Sequence, residues 1–331
     1  MNHIPDAFLT ATAEDLHEVI KTPTLFHLEG VESQPLFIST LLHGDETTGL
    51  YAIQRLLRKY RDKPLPRAIS LFVGNVAAAR ENQRHLDTQD DYNRIWPGSH
   101  HSDSPEKDMM QAVTYIMEKK KPFASIDIHN NTGKNPHYGC INILNPHGLV
   151  LAANFSDIAV YFTSPKGVQS SAFSDFCPSI VLECGQSGDK SGEDHALAYL
   201  ETILTLDQLS SHGNNNLKLY HTIARVIIPK TVTIGNSSDN NSCDIHLNAQ
   251  LENENFNIIH PGTEFARFNS TKDKLIIVSS ESNEDITNEY IERDNNKLLL
   301  KKPITLSMFT TSEKAIRQDC VCYFMEELHI G

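Results

Sequence analysis

The segment PLFISTLLHGDETTGLYAIQRLLRKY, residues 35–60, carries a strand, a turn and a helix in succession. PLFISTLL (35–42) is a continuous apolar run of strand length, as expected for a strand covered on both faces. In GLYAIQRLLRKY (49–60) apolar residues recur at helical spacing, so His43 to Thr48 form the turn between the two elements. Working outward, the pattern repeats. AISLFVGN (68–75), SIDIHNN (125–131), CINIL (140–144) and SIVLECG (179–185) read as further strands. Ser104 and Pro105 supply an N-cap and a first-turn proline for the helix DMMQAVTYIMEKKK, and the helix DHALAYLETILTLDQL follows the last strand. This alternation predicts an α/β domain over residues 1–212, with a mixed, largely parallel central sheet flanked by helices. Ligands of such sheets collect beyond the carboxyl ends of the strands, and His43, His129 and Glu183 all stand near such ends.

After His212 the sequence changes character. HGNNN reads as a linker, and the short runs LYHTIARVIIP, FNIIHPG, EFARF, KLIIVS, ITLSMF and VCYFMEEL predict a smaller β-rich domain over residues 213–331. The stretch from Asn236 to Asn257 is crowded with Asn, Ser and acidic residues that compete for their own backbone hydrogen bonds, which predicts a mobile loop.

Composition removes several function classes. With 39% hydrophobic and 21% charged residues among 331, the chain is that of a globular protein. Its net charge of −13 is spread over both parts, so no basic stripe is offered to a nucleic acid. The N-terminus lacks a leader pattern, and no apolar run reaches the roughly 20 residues that cross a bilayer; we read the chain as cytoplasmic, with no membrane partner. The six cysteines contain no C-x-x-C pair, which argues for reduced thiols rather than a zinc ribbon. Met109, Met110, Tyr115 and Met117 on one helix read as core packing. A homo-oligomer is left open.

The chemistry-bearing residues are each ambiguous alone. His43 and Glu46 are three apart at a helix start, where side chains share one side and can converge on an ion, although a surface or capping role explains the pair equally simply. His129 closes a strand; a hydrogen-bonded core histidine is its plainer reading, yet two His and a Glu make the ligand set of catalytic zinc sites. In RHLDTQDDYNRIW, Asn93 and Arg94 offer an amide and a guanidinium suited to a carboxylate, and Arg84 can polarise a carbonyl. Asp91 is a candidate for fixing the tautomer of a ligating imidazole. Glu183 ends an apolar strand, where desolvation disfavours its charge unless it has a partner or a task such as general base.

Taken together and in order, HGDE, the R…DYNR block, IDIHN and LECGQ resemble the aspartoacylase and succinylglutamate desuccinylase family, a branch of the zinc carboxypeptidase fold. The resemblance spans about residues 35–212, and IIHPGTEFARF is similar to the β-domain of that family. It implies one Zn2+ per chain on His43, Glu46 and His129, Glu183 as general base and proton shuttle, and Arg84 stabilising the oxyanion. It further implies that Asn93 and Arg94 hold the α-carboxylate of a small N-acyl amino acid. A divalent ion, two Arg and three carboxylates sum to about +1, a local field suited to a carboxylate-bearing substrate. The expected activity is zinc-dependent hydrolysis of a linear amide bond. A metallocarboxypeptidase of the same fold and a non-catalytic metal- or ligand-binding homologue are the alternatives. This chain departs from the family at three places, one being the late tyrosine of aspartoacylase, which has no clear match near Thr311 to Arg317. Extra residues separate Arg84 from Asn93 and Arg94. No Arg lies between Tyr161 and Glu183, where aspartoacylase grips a second carboxylate; the corresponding position is near Phe173, and Lys166 is the one basic residue of that stretch.

Overall fold

A computed structural model of the protein describes residues 1, 3–209, 216–235 and 243–329. Residues 212–215 of the expected linker, and residues 236–242 of the expected mobile loop, lie outside the described residues. The chain forms two compact units: Met1–Asn131 with His137–Lys218, and Leu219–Gly331 with Thr132–Pro136.

The first unit is built on seven strands: β1 (Thr24–Leu28), β2 (Gly30–Thr40), β3 (Leu65–Val73), β4 (Ala124–His129), β5 (Tyr138–Ile141), β6 (Ile158–Tyr161) and β7 (Ser179–Glu183). Their order across the sheet is β1-β3-β2-β4-β7-β5-β6. The central strands β3, β2, β4 and β7 run parallel, whereas β1 is antiparallel to β3 and β5 to β7. Helices α1 (Leu16–Val19), α2 (Thr48–Lys59), α3 (Val76–Arg80), α4 (Pro105–Lys120), α5 (Pro146–Phe155), α6 (Gln169–Ser174) and α7 (Lys190–Thr205) flank it. The expected mixed, largely parallel α/β architecture is therefore the observed one.

Local chemistry explains where the elements stop. The Ser104 hydroxyl accepts from the Lys107 N–H, so α4 starts at Pro105 as its cap predicts. The strand expected over CINIL ends at Ile141: the Asn142 amide donates to the Phe162 carbonyl, Asn145 caps α5, and Ile143 and Leu144 are left 41% and 42% exposed. On one face of the sheet Phe37 stacks on Phe173 at 4.4 Å, and Trp96 meets Phe72 and Phe173 edge-on. Met110 and Met117 complete that core, but Tyr115 does not: it is 62% exposed, with the Lys119 ammonium 5.3 Å from its ring. Phe173 is likewise a fully buried core residue, so it does not face a substrate.

The second unit is β-rich. β8 (Lys218–Ile227) pairs antiparallel with β13 (Ile277–Ser280) and β17 (Cys322–Glu327); β17 pairs with β16 (Ile304–Ser307) and β16 with β11 (Ile258–Ile259). A separate sheet has the order β14 (Ile291–Asp294), β15 (Lys297–Leu300), β12 (Glu264–Phe268), β10 (Ile245–Leu247) and β9 (Ile234–Gly235). Strand β10 and a 3-10 turn at Ala249–Asn253 occupy part of the stretch expected as a mobile loop. Burial of Ile245 and Leu251 anchors this polar segment, and polarity alone did not reveal that. All six cysteines are free thiols, and among the described residues no helix is long and apolar enough to cross a membrane.

Candidate metal centre

The strand β2 ends at Thr40, and Leu41 adopts a left-handed conformation (φ 54) that turns the chain out of the sheet. The next turn nests against α3. A Cβ on Gly44 would lie 2.2 Å from the Ala79 backbone nitrogen, so only glycine fits, and the Gly44 N–H donates to the Arg84 carbonyl at 3.1 Å. This nesting places His43 and Glu46 just before α2.

His43 Nδ1 lies 2.7 Å from Glu46 Oε1, and His129 Nδ1 lies 2.8 Å from Glu46 Oε2. Ligand atoms of the three residues fall within 4.8 Å of one another, a donor set able to hold a metal ion. The outer ring nitrogens also meet carboxylates: His43 Nε2 is 3.1 Å from Asp91 Oδ1, and His129 Nε2 is 2.8 Å from Asp127 Oδ2. Each imidazole is thus held between two carboxylates, which fixes its orientation. Burial opposes a charge on His129, but Asp127 and Glu46 win and hold its pKa well above the ordinary value. His43 is raised too, by Glu46 and Asp91 against burial and Arg84. Glu46 stays well below the carboxylate range despite burial, because both imidazoles favour its charge.

Asp91 also accepts from Arg84 through Nε and Nη2, both at 3.0 Å, and Arg84 Nη1 is 3.8 Å from Glu46 Oε1. Against burial, Arg84, His43 and Arg94 keep Asp91 well below its usual pKa. The Asn93 N–H donates to Asp91 Oδ1 at 2.8 Å; its amide nitrogen lies 3.3 Å from His129 Nε2, and its amide oxygen accepts from the Gln169 N–H. Arg94 Nη1 donates to the Asn93 carbonyl at 2.9 Å. Glu183 is the register partner of His129 across the parallel ladder of β4 and β7, so both side chains project from one face. Burial pushes the Glu183 pKa up to about 7; His129 opposes this, Glu46 adds to it, and the Asn131 amide 3.5 Å away opposes it.

Sequence reasoning missed two residues here. Asp127 is fully buried, two positions before His129 on the same strand face, and its other oxygen accepts from Ser39 Oγ at 2.7 Å. An acid inside an otherwise apolar strand was the available signal. Asn130 was also passed over, although its backbone N–H donates to Glu46 Oε2 at 2.9 Å. Lys166, by contrast, is an exposed residue.

Comparison with known proteins bears on the fold and the family. The chain spans about a fifth of the length of the curated relatives it matches. One of these, a succinylglutamate desuccinylase of Burkholderia orbicola (strain MC0-3), is 40% identical over 67 residues, 20% of this chain and 19% of that protein. Among solved structures, a succinylglutamate desuccinylase from Vibrio parahaemolyticus aligns with a TM-score of 0.63 at 12% identity, covering 99% of this chain and 97% of that one. Murine aminoacylase 3 aligns at 0.57 and 15%, over 91% and 96% of the two chains. These distant likenesses establish the fold alone. The family model of the succinylglutamate desuccinylase/aspartoacylase catalytic domain matches residues 32–206. Since that match takes in more than half of the sequence, the chain belongs to the succinylglutamate desuccinylase/aspartoacylase family.

Proposed function

We propose that the protein is a zinc-dependent amidohydrolase that removes the acyl group from a small N-acyl amino acid. The observation that carries this reading is the convergence of His43 Nδ1 and His129 Nδ1 on the two oxygens of Glu46, each ring backed by a second carboxylate, with Glu183 in register beside His129. Two imidazoles and a carboxylate are the donor set of catalytic zinc sites, and the carboxylates behind the rings are the partners that raise ligand basicity. The residues therefore fit one zinc ion per chain, with His43, Glu46 and His129 as its holders. When bound, the ion supplies Lewis acidity, lowering the pKa of water to about 7 and polarising the carbonyl.

Glu183 accepts the proton of the attacking water and delivers it to the amine nitrogen as the C–N bond breaks, leaving a carboxylic acid and a free amino acid. Its buried position, with a pKa raised to about 7, suits a group that must first take a proton and then return it. Arg84 brings positive charge to the side of the cluster next to Glu46, where it stabilises the developing oxyanion. Asn93 and Arg94 are assigned to the α-carboxylate, and Asp91 orients His43 while holding Arg84 in place. The names of the family and of its relatives support an acyl amino acid as the substrate class.

The test is Glu183→Gln, assayed with a panel of N-acyl amino acids on zinc-loaded protein. It is expected to retain zinc by elemental analysis and to lose roughly 10²- to 10⁴-fold in kcat. Wild-type turnover in that variant would refute the role.

A further inference from the structure

We infer that Asn130 is a positioning residue for this reaction, setting the placement of Glu183 relative to Glu46 through its side-chain amide; this rests on the assignment of Glu183 as base. Asn130 follows His129 directly and is buried to more than nine-tenths. Its amide oxygen accepts from the Thr48 N–H at 3.3 Å, and its amide nitrogen donates to both Thr48 Oγ1 and the Gly185 carbonyl at 2.9 Å. Its backbone N–H donates to Glu46 Oε2. One side chain thereby ties together the start of α2, two residues past Glu46, and the chain two residues past Glu183.

The link to Gly185 matters because the backbone turns sharply there. Gly185 has a positive φ of 73, and past the end of β7 at Glu183 the chain stays tied to β4 by the Cys184 N–H, which donates to the His129 carbonyl at 3.0 Å. The Gly185 carbonyl accepts from the Asn130 amide and from the Asn131 N–H at 3.0 Å. A side chain only two bonds long has little play between three fixed partners. Together with the backbone bonds at Cys184 and Gly185, these three bonds set where Glu183 sits relative to the carboxylate of Glu46.

Asn130→Asp separates these links without changing size. The new carboxylate still accepts from the Thr48 N–H, and Thr48 Oγ1 can turn its proton towards it. The bond to Gly185 is lost, two acceptors then face each other, and a negative charge is added, which the uncharged Asn130→Ala controls for. On zinc-loaded, folded N130D, kcat and kcat/KM are expected to fall together by roughly 10- to 100-fold, the usual effect of displacing a catalytic group by about an ångström. Zinc affinity, measured by chelator competition, should not weaken, because Glu46 keeps its backbone donor. Asn130→Ala, read in parallel, should show the same kcat loss with KM unchanged.

Wild-type kcat in folded N130D overturns the inference. So does a kcat loss that tracks lost zinc, or failure of both variants to fold, either of which makes Asn130 a residue of the scaffold. If Glu183→Gln is fully active, the catalytic reading itself falls. If Glu183→Gln is inactive while N130D is normal, only the role of Asn130 falls.

Discussion

Asp127 has no solvent exposure, yet it bonds both His129 Nε2 and Ser39 Oγ. A carboxylate in that position holds the His129 ring with Nδ1 towards Glu46, so its loss is expected to act on metal affinity before chemistry. Asp127→Ala is expected to weaken zinc binding roughly 10- to 100-fold, measured by competition with a chelating dye. Unchanged affinity would remove Asp127 from the site. The cluster of His43, Glu46 and His129 was legible as a candidate, because the three residues occupy a strand-to-helix turn and a strand end, where chemistry concentrates. Asp127 and Asn130 were not, because their roles depend on which atom faces which ring or carbonyl, and strand period fixes only the face. Asn93 shows the same boundary. Its amide type was readable, but its contacts with His129 and the Gln169 N–H come from segments far apart in the chain.

At the level of elements, β2, α2, α4 and β7 were legible because they are long, periodic or capped by recognisable residues. β1, β6 and α6 were not, each being short and shaped by what it packs against, while α5 was passed over although Asn145 and Pro146 give it the same kind of start as α4. Helix α2 shows how tightly such packing can bind an element to the site. A Cβ on Gly49 would lie 2.3 Å from Thr40 Oγ1 and 2.9 Å from Ile128 Cβ, between two strands of the sheet. Alanine normally favours a helix by about 1 kcal/mol over glycine, but overpacking a close contact costs about 1–3 kcal/mol. Gly49→Ala should therefore lower stability in urea unfolding and, by pushing α2 outward, lower zinc affinity as well. A stabilised variant with normal zinc binding would mean that α2 has room the geometry does not give it.

For the molecule as a whole, the division into an α/β part and a β-rich part followed from the change in pattern after His212, and the short strands of the latter were mostly found where their apolar runs lie. The five-residue detour Thr132–Pro136, which belongs to the second unit, has no signature in sequence because it is defined by contacts alone. Charge is where the whole and the site meet. Asp127 and Asp45, the latter next to Glu46, add two carboxylates to the three expected near the centre. Arg84, Arg94 and a divalent ion then no longer outweigh them, and the chain carries −13 overall. For a monoanionic N-acyl amino acid, kcat/KM should rise on the order of twofold between 10 and 150 mM salt, as screening relieves the repulsion. A steep fall would reveal an attractive field. The pairing of His129 with Glu183 across β4 and β7 sets the spacing of the two residues coarsely by backbone pitch, leaving side chains such as Asn130 only its fine adjustment. Such a yardstick has notches one residue wide, and slipping by one would swing either group to the opposite side of the sheet. Variation is thereby confined to the surrounding loops, which can change while the gauge between the two residues stays the same.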